Sequence, residues 1–144
     1  MSSAQKIIQA AAGNAAGGEG LYVEDVFSTY LYTGNGSTQT ITNGIDLQNK
    51  GGLVWGKLRN VNSNHRLHDS ERGPDNTLSS NSTATEVTGN GIPSFNENGF
   101  VMDSGTNINL LYTGATWTFA KQEKFFDVVT YAGDGIAGKQ IAHN

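Results

Sequence analysis

The chain has 144 residues, 36% hydrophobic and only 15% charged, with a net charge of -4. That length allows one domain around a single apolar core. Lys57, Arg59, Arg66 and Arg72 are scattered among Asn and Asp, which argues against a phosphate-tracking surface and a nucleic-acid partner. With no cysteine, disulfides and thiolate metal sites are excluded, and no run reaches the roughly 20 apolar residues that span a bilayer. Gly, Asn, Ser and Thr fill the deficit; these are residues of turns and polar strand faces, so the composition predicts an all-β chain.

Residues 1–20, MSSAQKIIQAAAGNAAGGEG, are small and of low complexity. Ser2 or Ser3 can cap a short helix from Ala4 to Ala12 that Gly13 ends. A helix of about 9 residues does not hold itself in water. Ile7 and Ile8 supply an apolar face with nothing nearby in sequence to bury it. The segment reads as a flexible docking arm rather than a secretory signal, because Gln9 interrupts its apolar stretch.

Residues 21–128 form the expected body. Strand-like runs LYVEDVFSTYLYTG, TQTITNGIDL, GGLVWGKLRN, NHRLHDS, ENGFVMDSG, NINLLYTGATWTFAK and FFDVVTYAG alternate with turn clusters such as GNG, NKGG, RGPDN and NENG. In ATWTFA, Trp117 and Phe119 share one face and Thr116 and Thr118 the other. Short strands at regular spacing predict an antiparallel β-sandwich or jelly roll. Its expected core residues are Trp55, Phe100, Trp117, Phe119, Phe125 and Val128.

Residues 129–144 read as a linker or the start of a following repeat. Tyr131, Gly133 and Gly135 echo Tyr32, Gly34 and Gly36, and after one inserted residue Ile141 and His143 fall opposite Ile41 and Asn43. The echo predicts a longer chain, of which this is the opening part.

The blocks MSSAQKIIQAAAG, LYVEDVFSTYLYTGNGSTQTITNGIDL, GGLVWGK, RLHDSERG, SFNENGF, WTF and FFDVVTYAGDG together resemble the N-terminal portion of tail fibre-like virion structural proteins of marine and cyanobacterial tailed phages. Gly56 departs from the bulky apolar residue expected after the tryptophan. The resemblance implies a lectin- or glucanase-like jelly roll, residence in the virion after assembly in the host cytoplasm, and homotrimers. It also implies that the chain is the attachment region that docks a fibre onto a tail adaptor, nozzle or baseplate. The docking residues are then Lys6, Ile7, Ile8, Leu21, Tyr22 and Val23. The alternative is a carbohydrate-binding module for the host surface. Tyr30, Tyr32 and Tyr112 are candidates for glycan or trimer contact, with host glycan otherwise met through a further C-terminal region.

Catalytic, cofactor and metal sites are not expected. GDGIAG, residues 133–138, has dinucleotide-fingerprint spacing, but KQIAHN leaves no room for the required helix. His65 and His68 are three apart, which on a strand puts them on opposite faces, as exposed polar residues of a strand or its turn rather than ligands of one metal. Asp103, Asn107 and Asn109 read as turn-forming side chains rather than calcium ligands. Asp69 with Glu71, or Asp46 with Asp103, could be drawn as a glycosidase pair, yet nothing in the spacing selects either.

Overall fold

The longest alternating run, Thr113–Ala120, becomes strand β9 and lies second from the edge of a six-stranded antiparallel sheet. The computed structural model describes residues 20–143. A 3-10 turn, Val23–Asp25, leads into β1 (Phe27–Thr33), followed by β2 (Gln39–Thr42), a one-turn helix α1 (Leu47–Lys50) and β3 (Gly52–Leu58). Then come β4 (Arg66–Asp69), β5 (Asn76–Ser79), β6 (Val87–Thr88), β7 (Ser94–Asn96), β8 (Gly99–Met102) and β9. The larger sheet has the order β1-β9-β3-β4-β5-β6 and the smaller one β2-β8-β7, and every pairing is antiparallel.

Side chains from both sheets meet in one core. Tyr32, Val54 and Ala120 enter from the larger sheet; Ile41, Phe100 and Met102 enter from the smaller; Ile45, Leu47, Ile92 and Ile108 come from the connections. The inner face of the central strands is made of small residues. Along β9 it runs Gly114, Thr116, Thr118, Ala120, and along β3 it runs Gly52, Val54, Gly56, Leu58, all buried. Bulk from elsewhere is laid directly on this backbone. A Cβ at Gly114 would stand 2.2 Å from the Tyr32 ring, and one at Gly56 would stand 2.6 Å from Ile108. Gly56 is therefore a seat for Ile108, which explains its departure from the bulky residue expected there.

The alternation of ATWTFA holds, but its polarity is reversed. Thr116 and Thr118 are the fully buried pair, and Trp117 and Phe119 lie half-buried on the outer face. With Tyr32, Leu47 and Ile108 already against the sheet, the inner face has no room for tryptophan. Thr118 Oγ1 is satisfied by Asn43 Nδ2 at 2.8 Å, so burial of that hydroxyl is compensated. Among the expected core residues Phe100 is fully buried, Trp55, Trp117 and Phe119 face outward, Phe125 is exposed, and Val128 is half-buried outside the core cluster.

Other boundaries differ from expectation. Val23–Asp25 is a turn rather than strand. Asp46 caps the unexpected turn of α1 by accepting from Asn49 N–H at 2.9 Å, and Gly51 ends it at φ +71°. FFDVVTYAG joins no sheet; beyond β9 the described chain forms only an isolated bridge, Gln122 to Phe126. The expected helix Ala4–Ala12 falls outside the described residues.

Gly114→Ala should cost about 1–3 kcal/mol through overpacking, because Tyr32 must leave its seat. Gly133→Ala, with nothing within 4 Å of the added carbon, should change stability by under about 0.5 kcal/mol. Urea denaturation of the two variants beside the parent checks both values.

Candidate docking surface

The two sheets treat their outer faces differently. On the smaller sheet the outward residues include Thr40, Thr42, Ser94 and Asn96, an ordinary solvated face. On the larger sheet the outward rows carry Phe27, Leu31, Leu53, Trp55, Trp117 and Phe119. Trp55 and Trp117 stand directly opposite each other in the β3–β9 register, ring centroids 5.9 Å apart, and His65 lies 6.0 Å from Trp55. Phe119 is flanked by Phe27 at 4.9 Å and Phe126 at 5.0 Å. The Phe126 end is thus covered by the chain itself, whereas Leu31 on the outermost strand remains 61% exposed. Trp55 Nε1 is buried and, among the described residues, lacks a hydrogen-bond partner.

The edge beside Leu31 is also open. Gly34 N–H donates to the Tyr112 carbonyl at 2.8 Å and Ala120 N–H to the Val26 carbonyl at 2.8 Å. These bonds fix the even-numbered residues of β1 as the ones bonded to β9. The backbone groups of Phe27, Thr29, Leu31 and Thr33 therefore point away from the sheet. Among the described residues no strand pairs with them, and only the Thr33 carbonyl is taken, by Gln39 Nε2 at 3.4 Å. A seven-residue edge without charge or proline is the kind that other chains pair with.

The expected contact residues are dispersed. Lys6, Ile7 and Ile8 lie outside the described residues. Leu21 and Val23 are exposed apolar side chains before β1, and Tyr22 between them is half-buried. Tyr112 is exposed, but Tyr30 packs against the core. Tyr32 is turned into the core: it is 8% exposed, and its hydroxyl donates to the Ile108 carbonyl at 2.6 Å. Burial pushes its phenol well above the ordinary tyrosine range. The two tryptophans escaped notice as surface residues because sequence alternation identifies faces without saying which one is inside.

The carboxylates considered for catalysis are each occupied locally. Asp69 accepts from the backbone of Glu71 and Arg72 and from Arg72 Nε at 2.7 Å; Arg72 reaches on to Glu86 at 2.6 Å and to the Leu67 carbonyl at 3.1 Å. Glu71 pairs with Lys121 at 2.7 Å, and Lys121 also meets Asp127 at 3.2 Å. Asp46 caps α1, and Asp103 Oδ1 accepts from Gly105 and Thr106 N–H at 2.8 and 3.1 Å, so the 103–109 loop is an Asx turn. Asn109 is a buried hub whose Nδ2 donates to the carbonyls of Ser37 and Asp103, while Gln39 Nε2 donates to its Oδ1. No group of three His, Cys, Asp or Glu side chains converges on one point among the described residues.

His65 and His68 do occupy opposite faces, but His68 is fully buried rather than solvated. Its Nδ1 is 3.5 Å from Thr77 Oγ1, and its Nε2 makes no well-aligned hydrogen bond among the described residues, leaving the Pro74 carbonyl as a looser backbone contact of the ring. Burial pushes the imidazole down to about 4; Arg72 and Arg66 reinforce the shift, and the Pro74 carbonyl and Asp69 oppose it. A folded value below the unfolded one means that stability is complete above about pH 6.5 and is lost as pH falls toward 4. The gap from 6.5 to about 4 corresponds to about 3 kcal/mol. Urea titrations between pH 4 and 7 should show that slope in the parent, and His68→Gln should flatten it.

Residues 23–124 match the family described as a domain of unknown function, DUF7483, and the chain belongs to that family. None of the curated proteins and none of the solved structures matches it.

Proposed function

We propose that this chain is a structural docking module of a virion, the attachment region through which a phage tail fibre is held on the tail. The observation that carries the reading is the outer face of the larger sheet. Natural sheets with one solvated face alternate apolar and polar residues; here the solvated side of β3 and β9 is aromatic, beside an unpaired edge strand. An apolar face of this kind suits a protein partner that supplies apolar cover. In this reading the two sheets form a jelly-roll sandwich, three copies associate, and residues 1–20 add a second anchor among neighbouring virion proteins.

Supporting this over a catalytic role, the acidic side chains that could act as acid or base are engaged in caps and ion pairs of the fold. Two variants test the docking face and the arm separately. Leu31→Glu places a charge on the exposed end of that face and should leave thermal stability within about 0.5 kcal/mol. Particles assembled with it should nonetheless carry fewer fibres, read by electron microscopy and quantitative mass spectrometry. Deleting residues 1–20 should likewise strip fibres from particles. Fully fibred, infective particles from both variants would refute the reading, and glycan-array binding by the parent that is abolished by Trp117→Ala would replace it with the carbohydrate-binding one.

A further inference from the structure

The segment after β9 repeats, 99 residues later, the closing turn and part of the residue pattern of the segment that opens the domain. The turns that precede the two segments differ: Val23–Asp25 is a 3-10 turn, whereas Lys124, the counterpart of Asp25, is left-handed at φ +62° and its turn is closed by a Gln122–Phe126 bridge. Ser37 N–H donates to Asn35 Oδ1 at 2.8 Å, and Ile136 N–H donates to Asp134 Oδ1 at 3.0 Å. The glycine inside each Asx turn is left-handed, φ +62° at Gly36 and +71° at Gly135. Between the two turns Phe27, Tyr32 and Gly34 recur as Phe126, Tyr131 and Gly133 at the same offset. Recurring Phe, Tyr and Gly positions and a shared closing turn in one register are more than glycine-rich composition supplies.

What differs is the surroundings. In the opening copy Tyr32 lies over Gly114, and a Cβ at Gly34 would fall 1.8 Å from the Leu110 carbonyl oxygen, so only glycine fits. In the second copy Tyr131 is 67% exposed and nothing lies within 4 Å of a Cβ at Gly133. Gly133 is also not left-handed, so neither crowding nor backbone conformation accounts for glycine there. The segment thus keeps the Phe, Tyr and Gly of the opening copy, and Tyr131 and Gly133 lack the seats that Tyr32 and Gly34 occupy.

We infer that Phe126–Ala132 is a donor strand whose partner is a second copy of this chain, where it takes the place of β1 along β9. Tyr131 then covers Gly114 and Gly133 fits beneath the Leu110 carbonyl of the receiving copy. The receiving copy's own β1 must give way, so exchange grows with concentration. Each copy gives a strand at one end and accepts one at the other, a head-to-tail contact that closes into a ring or continues as a filament. The inference stands on this local geometry and does not require the virion reading above.

Disulfide trapping in the full chain tests it, and the absence of native cysteine makes the readout clean. Thr33 and Thr113 are directly opposed, and they form a narrow, non-hydrogen-bonded pair because their neighbours Gly34 and Tyr112 are bonded. Ala132 is the counterpart of Thr33. The double variant Thr113→Cys, Ala132→Cys should therefore give disulfide-linked dimers and higher oligomers on non-reducing gels, increasing with protein concentration. Adding Gly133→Ala or Tyr131→Ala should lower that yield at least tenfold while leaving the unfolding midpoint unchanged. Adding Tyr32→Ala, which loosens the competing β1, should raise it. Absence of linked oligomers, a disulfide confined to monomers, or a yield indifferent to Gly133→Ala would each overturn the inference.

Discussion

The constraint on which the structure depends is the smallness of the inner face of β3 and β9. Gly52, Gly56, Gly114, Thr116, Thr118 and Ala120 leave the backbone of the central strands accessible, and the core is assembled by placing Tyr32, Leu47 and Ile108 against it. Close packing of this kind tolerates little added volume. It also decides where the large aromatics go. A sheet whose inner surface is filled by side chains from its flanking loops and edge strand has to carry its own tryptophans outside. The outer aromatic face thus follows from the same packing choice as the glycine seats, and that face and the core are two consequences of one arrangement.

The polar side chains complete that arrangement. In a chain with only 15% charged residues, loops are held by Asn, Thr and Asp acting on backbone. Asn109 ties the β1–β2 connection to the 103–112 loop through Ser37 and Gln39, and Tyr32 is fixed to Ile108 in the same loop. Position of the edge strand therefore depends on a loop that lies far away in sequence. Buried groups of this sort contribute only about 1 kcal/mol each when satisfied but cost more when left unpaired, so the arrangement resists partial disruption. Trp55 Nε1, Thr116 Oγ1 and His68 Nε2 are among the buried atoms that make no well-aligned hydrogen bond within the described residues, and the depressed His68 imidazole makes the β4–β5 side of the sheet the acid-sensitive one.

Sequence reading recovered the strand class, the opposition of His65 to His68, and the alternation in ATWTFA, because a period of two survives whatever surrounds it. The inside of the sheet was not legible. Threonine and glycine can line a core only if bulk arrives from elsewhere, and Ile108 sits 52 positions from the glycine it covers. The ranking of tryptophan above threonine as a core residue was therefore reasonable and reversed by tertiary context. Strands β5 and β7 were missed for a similar reason. NTLS and SFN are too short to show a period, and their pairing with β4 and β8 is what makes them strands. The echo of Tyr32, Gly34 and Gly36 in Tyr131, Gly133 and Gly135 was visible in the letters, but its meaning needed the hydrogen bonds and the contrast in burial.

That contrast bears on how edges are managed in this molecule. The larger sheet ends on one side in β6, two residues long, a length that offers little template for pairing. On the other side it ends in β1, seven residues with free backbone groups and an exposed leucine. Natural sheets shorten, charge or cover such edges, and β1 is protected in none of these ways by the described residues. The two edges are asymmetric: one is blunted, and the other is left open among the described residues beside an aromatic face. The open edge of β1 and the outer rings of β9 are continuous, with free backbone groups at Phe27, Thr29 and Leu31 running beside Phe119 and Trp117.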